Sequence, residues 1–111
     1  VSDVIQRIKE QLQSNPVMLY MKGTPDFPQC GFSASAVRTL EACGASFAYV
    51  NIFEDPEVRE ALKRYSNWPT YPQLYVNGEL VGGSDIINEM YQKGELQQVL
   101  GAAGAASQAR A

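Results

Sequence analysis

A chain of 111 residues suffices for one domain with one core and is too short for two. Its 45% hydrophobic content fits a soluble globular protein, and no apolar run approaches the roughly 20 residues of a membrane span. A net charge of −3 gives no electrostatic case for nucleic acid or anionic lipid as a partner.

The amphipathic, mixed-charge start "VSDVIQRIKEQL" does not read as a signal peptide, and Val1 in place of Met is read as a trimmed start. Ile5, Ile8 and Leu12 recur at helical spacing behind a Ser2/Asp3 cap, so a first helix is expected to stop before Asn15-Pro16. "VMLYM", 17–21, is a continuous apolar run and predicts a strand buried on both faces. The loop "KGTPDFPQ" holds two prolines and a glycine, which makes it stiff and irregular. A helix follows from about Gly31 to Ala42, with Ala36, Val37 and Leu40 inward and Gly44 closing it.

"SFAYVNI", 46–52, alternates like a strand. In "DPEVREALKRYS", Asp55 is a cap and Pro56 the first helical residue, with Val58, Leu62 and Tyr65 as the buried stripe. "PQLYV" and "ELVGG" flank Asn77-Gly78, the strongest short hairpin signal in the chain. Ser84 or Asp85 then caps "IINEMYQKG", with Ile86, Ile87, Met90 and Tyr91 inward. A last helix is expected at about 95–100, and the Gly/Ala-rich tail 101–111 has little to bury and is expected to fray. The order α-β-α-β-α-β-β-α predicts an α/β, thioredoxin-like fold: a central four-stranded mixed sheet flanked by helices.

The chain has no histidine. That removes Ser-His and Cys-His catalysis and every His-containing zinc site. Its two cysteines cannot form a Cys₄ site and point to a reducing compartment. Cys30 stands just before a helix whose first N–H groups favour a thiolate, and Lys22 adds positive charge. The alternative, a small buried hydrophobe, is opposed by the loop, by Gly31 and by the exposed helix start. A redox site of this shape usually has a second cysteine three residues on, and here that place holds Ser33. Cys43 lies 13 positions beyond Cys30. At about 1.5 Å per helical residue the separation is roughly 20 Å, too far for a disulfide, so Cys43 reads as structural.

Two further stretches carry chemistry. In "WPTYPQ", 68–73, a cis Tyr71-Pro72 bond would turn the Tyr71 backbone outward to pair with an extended peptide. A trans proline at a strand edge is the commoner case, since cis accounts for only about 5% of X–Pro bonds. "GGSD", 82–85, brings glycines onto a helix N-terminus that can hold a carboxylate, although a plain turn and cap explains it equally well. Lys22 and Arg59 could bind another carboxylate, or each could be a solvated surface charge.

Over residues 1–100 the chain resembles monothiol glutaredoxins of the CGFS type, most like the short single-domain bacterial and organellar forms. "MKGTPDFPQCGFS", "SNWPTYPQLYVNGELVGG" and "SDI" carry the resemblance. It implies glutathione bound in an extended pose beside Cys30. The glycine carboxylate would meet Lys22 and Arg59. The cysteinyl backbone would pair with Tyr71 before a cis Pro72, flanked by Thr70. The γ-glutamyl end would meet Gly83, Ser84 and Asp85.

The resemblance also implies a [2Fe–2S] cluster bridging a homodimer, with Cys30 as its protein ligand and two glutathiones completing four thiolates. Cluster transfer to iron–sulfur recipient proteins, a part in iron homeostasis, pairing with BolA-type proteins, and a cytoplasmic or organellar-matrix location go with it. Many relatives carry a cysteine where this chain has Ser84, so a disulfide from Cys30 to that place is closed here. Tyr71 stands where phenylalanine or another bulky residue is frequent. Three readings remain: an iron–sulfur carrier, a glutathione-dependent reductase with Cys30 as nucleophile, and a redox-inert module for a BolA-type partner.

Overall fold

The computed structural model describes residues 2–103. Val1 and residues 104–111, on which the expectations of a trimmed start and a frayed tail largely fall, lie outside the described residues. The elements are α1 (Ser2–Ser14), β1 (Val17–Met21), α2 (Gly31–Ala42), β2 (Ala48–Asn51), α3 (Pro56–Ser66), β3 (Gln73–Val76), β4 (Glu79–Gly82), α4 (Ser84–Gln92) and α5 (Glu95–Ala102). The second strand starts two residues later than the alternation suggested, and the last helix runs two residues further, through Ala102.

The strand order is β2-β1-β3-β4. The β1–β2 pair is parallel, and β1–β3 and β3–β4 are antiparallel. This is the thioredoxin-like mixed sheet. All five residues of β1 are buried, as a central strand covered on both faces requires. Its period of two sorts them: Val17, Leu19 and Met21 pack with Ala36, Val37 and Leu40 of α2, Ile87 of α4, and Leu96 and Leu100 of α5. Met18 and Tyr20 pack on the other face with Ile8 and Leu12 of α1 and with Val58, Ala61 and Leu62 of α3.

Local signals set most of the boundaries. Asp55 accepts the Val58 N–H at 3.3 Å, and Pro56 opens α3. Asn77 and Gly78 both take positive φ, 52° and 81°, as a two-residue hairpin turn demands. Asp3 lies in the first turn of α1, where its carboxylate meets the positive helix end.

Three expected burials need correction. On α4, Ile86, Met90, Ile87 and Tyr91 span an arc of about 140° at 100° per residue. The two central ones, Ile87 and Met90, reach the core, while Ile86 and Tyr91 lie on its margins, 38% and 36% exposed. Tyr65 stands in the last turn of α3, where it borders a surface depression with Leu12, Asn77 and Gly78 and is 39% exposed. Ala61 takes the buried place instead.

Asp55 also ties α3 to α1, because its Oδ1 accepts from Arg7 Nη2 at 2.8 Å. Asp55→Ala removes cap and ion pair together and is expected to cost about 1–2 kcal/mol in urea unfolding. Asp55→Asn keeps an acceptor for the Val58 amide and should lose less. Equal losses in the two variants would place the effect in the ion pair rather than in the cap.

Candidate functional site

The site grows from the connection between β1 and α2. Gly23 turns the chain with φ 95°, and a side chain there would meet the Phe27 carbonyl at 2.5 Å, so only glycine fits. The loop closes on itself through Gln29 N–H to the Lys22 carbonyl, 2.9 Å, and Phe27 N–H to the Thr24 carbonyl, 3.1 Å. Asn51 Oδ1 accepts from the Gly23 amide at 3.0 Å and pins the loop to the end of β2. This closure returns the chain to Lys22 just as α2 begins.

Cys30 occupies the cap position of α2 in extended backbone, φ −157° and ψ 138°, and its side chain makes no capping hydrogen bond. Burial by itself would push the Cys30 thiol up. The Ser33 and Phe32 backbone N–H groups, the Lys22 charge and the Ser33 hydroxyl outweigh it, and the thiol lies below its ordinary value. Cys43 caps the other end of the same helix, packs partly buried against the core, and has its thiol pushed up by burial. Both thiols are free. The position three beyond Cys30 is structural: Ser33 is fully buried, and its Oγ accepts the Lys22 N–H at 3.1 Å.

A cleft of about 320 Å³ opens beside Cys30. Its walls bring together Lys22, Cys30, Thr70, Tyr71, Pro72, Gly83, Ser84 and Asp85, eight of the nine residues expected from sequence. The ninth, Arg59, is not among the lining residues. Its guanidinium lies 5.5 Å from the centre of the Phe53 ring, and its carbonyl accepts the Tyr71 hydroxyl at 2.7 Å. The Tyr71–Pro72 bond is cis.

The expected cap of α4 needs correction as well. Gly83, not Ser84 or Asp85, takes the cap position, and no side chain caps the helix. A Cβ at residue 83 would come within 3.3 Å of the Pro72 carbonyl, a tight contact that glycine relieves. The first amides of α4 therefore lack intrahelical partners beside the cleft, as do those of α2. The two helix starts converge there, and together with Lys22 they suit a ligand carrying carboxylates and a thiol.

Phe32, Trp68 and Ile86 complete the lining and were not anticipated. Phe32 stands in the first turn after Cys30 and is 63% exposed. Trp68 precedes the cis-proline segment directly, and its place in the quoted "WPTYPQ" was the available signal.

The thiolate-favouring groups predict reactivity. Alkylation by iodoacetamide should reach Cys30 well before Cys43, and its midpoint should fall at lower pH than that of an ordinary thiol. Lys22→Ala withdraws positive charge from the thiolate, so the midpoint should move up and the rate at neutral pH should drop. An unmoved midpoint would mean that the helix amides and the Ser33 hydroxyl hold the thiolate without help from Lys22.

Comparison with known proteins agrees with this geometry. The family model described as Glutaredoxin matches residues 17–81. Glutaredoxin 4 of Escherichia coli (strain K12) is 58% identical over 100 residues, which cover 90% of this chain and 87% of that protein. The solution structure of reduced poplar apo GrxS14 superposes with a TM-score of 0.79 at 48% identity, covering 90% of this chain and 92% of that one. The crystal structure of a buckwheat glutaredoxin–glutathione complex shares the fold, with a TM-score of 0.84 at 21% identity and coverage of 94% and 93%. The matched segment runs from β1 into β4 and carries both Cys30 and the Tyr71–Pro72 bond, and the chain belongs to the glutaredoxin family.

Proposed function

We propose that the protein is a monothiol glutaredoxin of the CGFS type that binds glutathione and carries a [2Fe–2S] cluster between two subunits. One observation carries the reading: a single thiolate-favouring cysteine lies in an open cleft beside a lysine, an extended cis-proline segment and a helix start. In this pose the glycine carboxylate of glutathione pairs with Lys22. Its peptide backbone runs along Thr70, Tyr71 and Pro72, and its γ-glutamyl end takes the amides of Gly83, Ser84 and Asp85. Arg59, outside the lining in this structure, would join the glycine carboxylate only by leaving Phe53.

The donor set supports a shared cluster. A [2Fe–2S] cluster held by thiolates needs four. Among the described residues no group of three or more His, Cys, Asp or Glu side chains could hold a metal ion, and Cys43 caps the far end of α2. Cys30 therefore offers one ligand, and two chains with two glutathiones complete the set. The cluster is cargo in this reading, passed to iron–sulfur recipient proteins in cluster assembly and iron homeostasis, with a BolA-type protein as an alternative partner. A free thiolate of this kind suits the cytoplasm or an organellar matrix. The glutaredoxin unit takes residues 1–100.

The lowered Cys30 thiol also favours a second activity, reduction of glutathione mixed disulfides. The Cys30 thiolate attacks the glutathione sulfur and releases the other thiol. A second glutathione then displaces the first from Cys30 as glutathione disulfide, so two electrons pass from glutathione to the substrate.

Anaerobic reconstitution with iron, sulfide and glutathione, run beside a deglutathionylation rate assay, separates these activities. The wild type should gain visible cluster absorption and sediment as a dimer carrying one cluster and two glutathiones, and should return to monomer on chelation. Cys30→Ser should lose the cluster without losing thermal stability, because serine is a preferred residue at the cap of a helix. A cluster that travels with a monomer, or one that persists in Cys30→Ser, would overturn the four-thiolate reading. By calorimetry, Lys22→Ala should weaken glutathione by about tenfold, the range of one charge-assisted hydrogen bond in a partly open site. Unchanged affinity would displace the carboxylate from Lys22.

A further inference from the structure

β3 opens with a side chain that is costly to bury. Gln73 is 0% exposed, and a buried amide is tolerated only when its polar atoms are paired. Here they are. Nε2 donates to the Trp68 carbonyl at 3.0 Å and to the Thr70 carbonyl at 3.2 Å. Oε1 accepts the Tyr75 hydroxyl at 3.0 Å. Tyr75 is itself fixed, 2% exposed and edge-on to Tyr20 with ring centroids 5.6 Å apart.

The carbonyls that Gln73 holds belong to the irregular segment between α3 and β3. That segment leaves α3 through Asn67 in the left-handed region, φ 55°. The Trp68 amide returns to the Lys63 carbonyl at 3.2 Å and to Ser66 Oγ at 3.1 Å. The segment is thus tied to α3 at its start and again through the Tyr71 hydroxyl to the Arg59 carbonyl at 2.7 Å, while the carbonyls between, of Trp68 and Thr70, are held by one buried amide. Trp68, Thr70, Tyr71 and Pro72 all face the cleft. Beside it, the Trp68 indole nitrogen and the Pro72 carbonyl would lie 3.6 and 3.3 Å from a side chain at Gly83, so moving this segment moves its contact with the start of α4.

We propose that Gln73 is a positioning residue for ligand binding: by holding the Trp68 and Thr70 carbonyls it sets the place of the Tyr71 backbone in the wall of the cleft. The proposal rests on the reading that glutathione binds along this segment. Gln73 touches no ligand in it and acts through the wall.

Gln73→Met keeps length and apolar volume and removes both donors. Tyr75→Phe removes the hydroxyl from the other side of the same amide and leaves both donors in place. Titration calorimetry with glutathione should show roughly tenfold weaker binding for Gln73→Met, the scale of a lost buried hydrogen bond, and little change for Tyr75→Phe even where its melting temperature falls. Trp68 is the single tryptophan of the chain, so acrylamide quenching of its fluorescence reads the segment without any ligand, and quenching should rise only in Gln73→Met. Should that variant not fold, Gln73→Asn keeps the amide but falls one methylene short of the carbonyls, and the same pair of changes is expected. Equal affinity losses in the Gln73 and Tyr75 variants, or unchanged quenching and affinity in the Gln73 variants, would overturn the proposal. A wild type that binds no glutathione would overturn the functional reading instead, while the quenching contrast would still decide whether Gln73 braces the wall.

Discussion

The bond from the Lys22 amide to the buried hydroxyl of Ser33 joins the end of the central strand to the first turn of α2. Everything at the thiol follows from that junction. It brings the Lys22 charge to the helix start and orients the amides that favour a thiolate at Cys30. The intervening loop is folded back on itself between its two fixed ends, so its closing bonds reinforce the same arrangement. Ser33 is therefore more than the absence of a second cysteine. Its oxygen accepts a backbone hydrogen bond that a thiol, a weak acceptor, would make poorly.

Around this junction the sheet divides the work between its faces. The α2, α4 and α5 face has an aliphatic core and presents two helix starts to the cleft. The α1 and α3 face contains Tyr20, Tyr71 and Tyr75, whose phenols stay protonated in burial; that of Tyr75 is pushed up to about 12 by desolvation. Because these hydroxyls remain donors, they can serve as fixed props: Tyr71 to the Arg59 carbonyl, Tyr75 to Gln73, Tyr20 to the Gln11 amide oxygen. One face supplies the thiol and the helix amides; the other steadies the segment that stands across from them.

That division accounts for a cleft that is shaped and yet accessible. Its reactive atom lies at a helix end, where solvent and a partner can reach it. Its opposing wall is an irregular segment, a kind of structure that by itself would move, held here by side chains from the core. Phe32 and Ile86 leave apolar surface beside the thiol. Such surface excludes water from one side of the cleft and leaves the Cys30 sulfur itself open to solvent.

The sequence by itself determined the elements and the chemistry available to them. Pro56 after Asp55, the Asn77-Gly78 pair and the apolar run at 17–21 act over a few residues, and each did what its local physics requires. The lack of histidine and the solitary placing of Cys30 likewise needed no structure, and the quoted motifs contain all eleven lining residues, eight of them expected at the site. Only the tertiary structure decided what depends on residues distant in sequence. Helical periodicity cannot say which end of an apolar stripe meets solvent, which left Tyr65 exposed in the last turn of α3, nor which margin of a wide apolar arc does, which left Ile86 at the cleft. Statistics of X–Pro bonds favour trans at Tyr71–Pro72; the family resemblance implies cis there, and the folded chain holds it cis. The cap position of α4 falls on Gly83, and the Pro72 carbonyl lies against it, a contact between elements that no local pattern encodes. Gln73 reads as an ordinary polar residue in a strand until the fold buries it beneath two carbonyls.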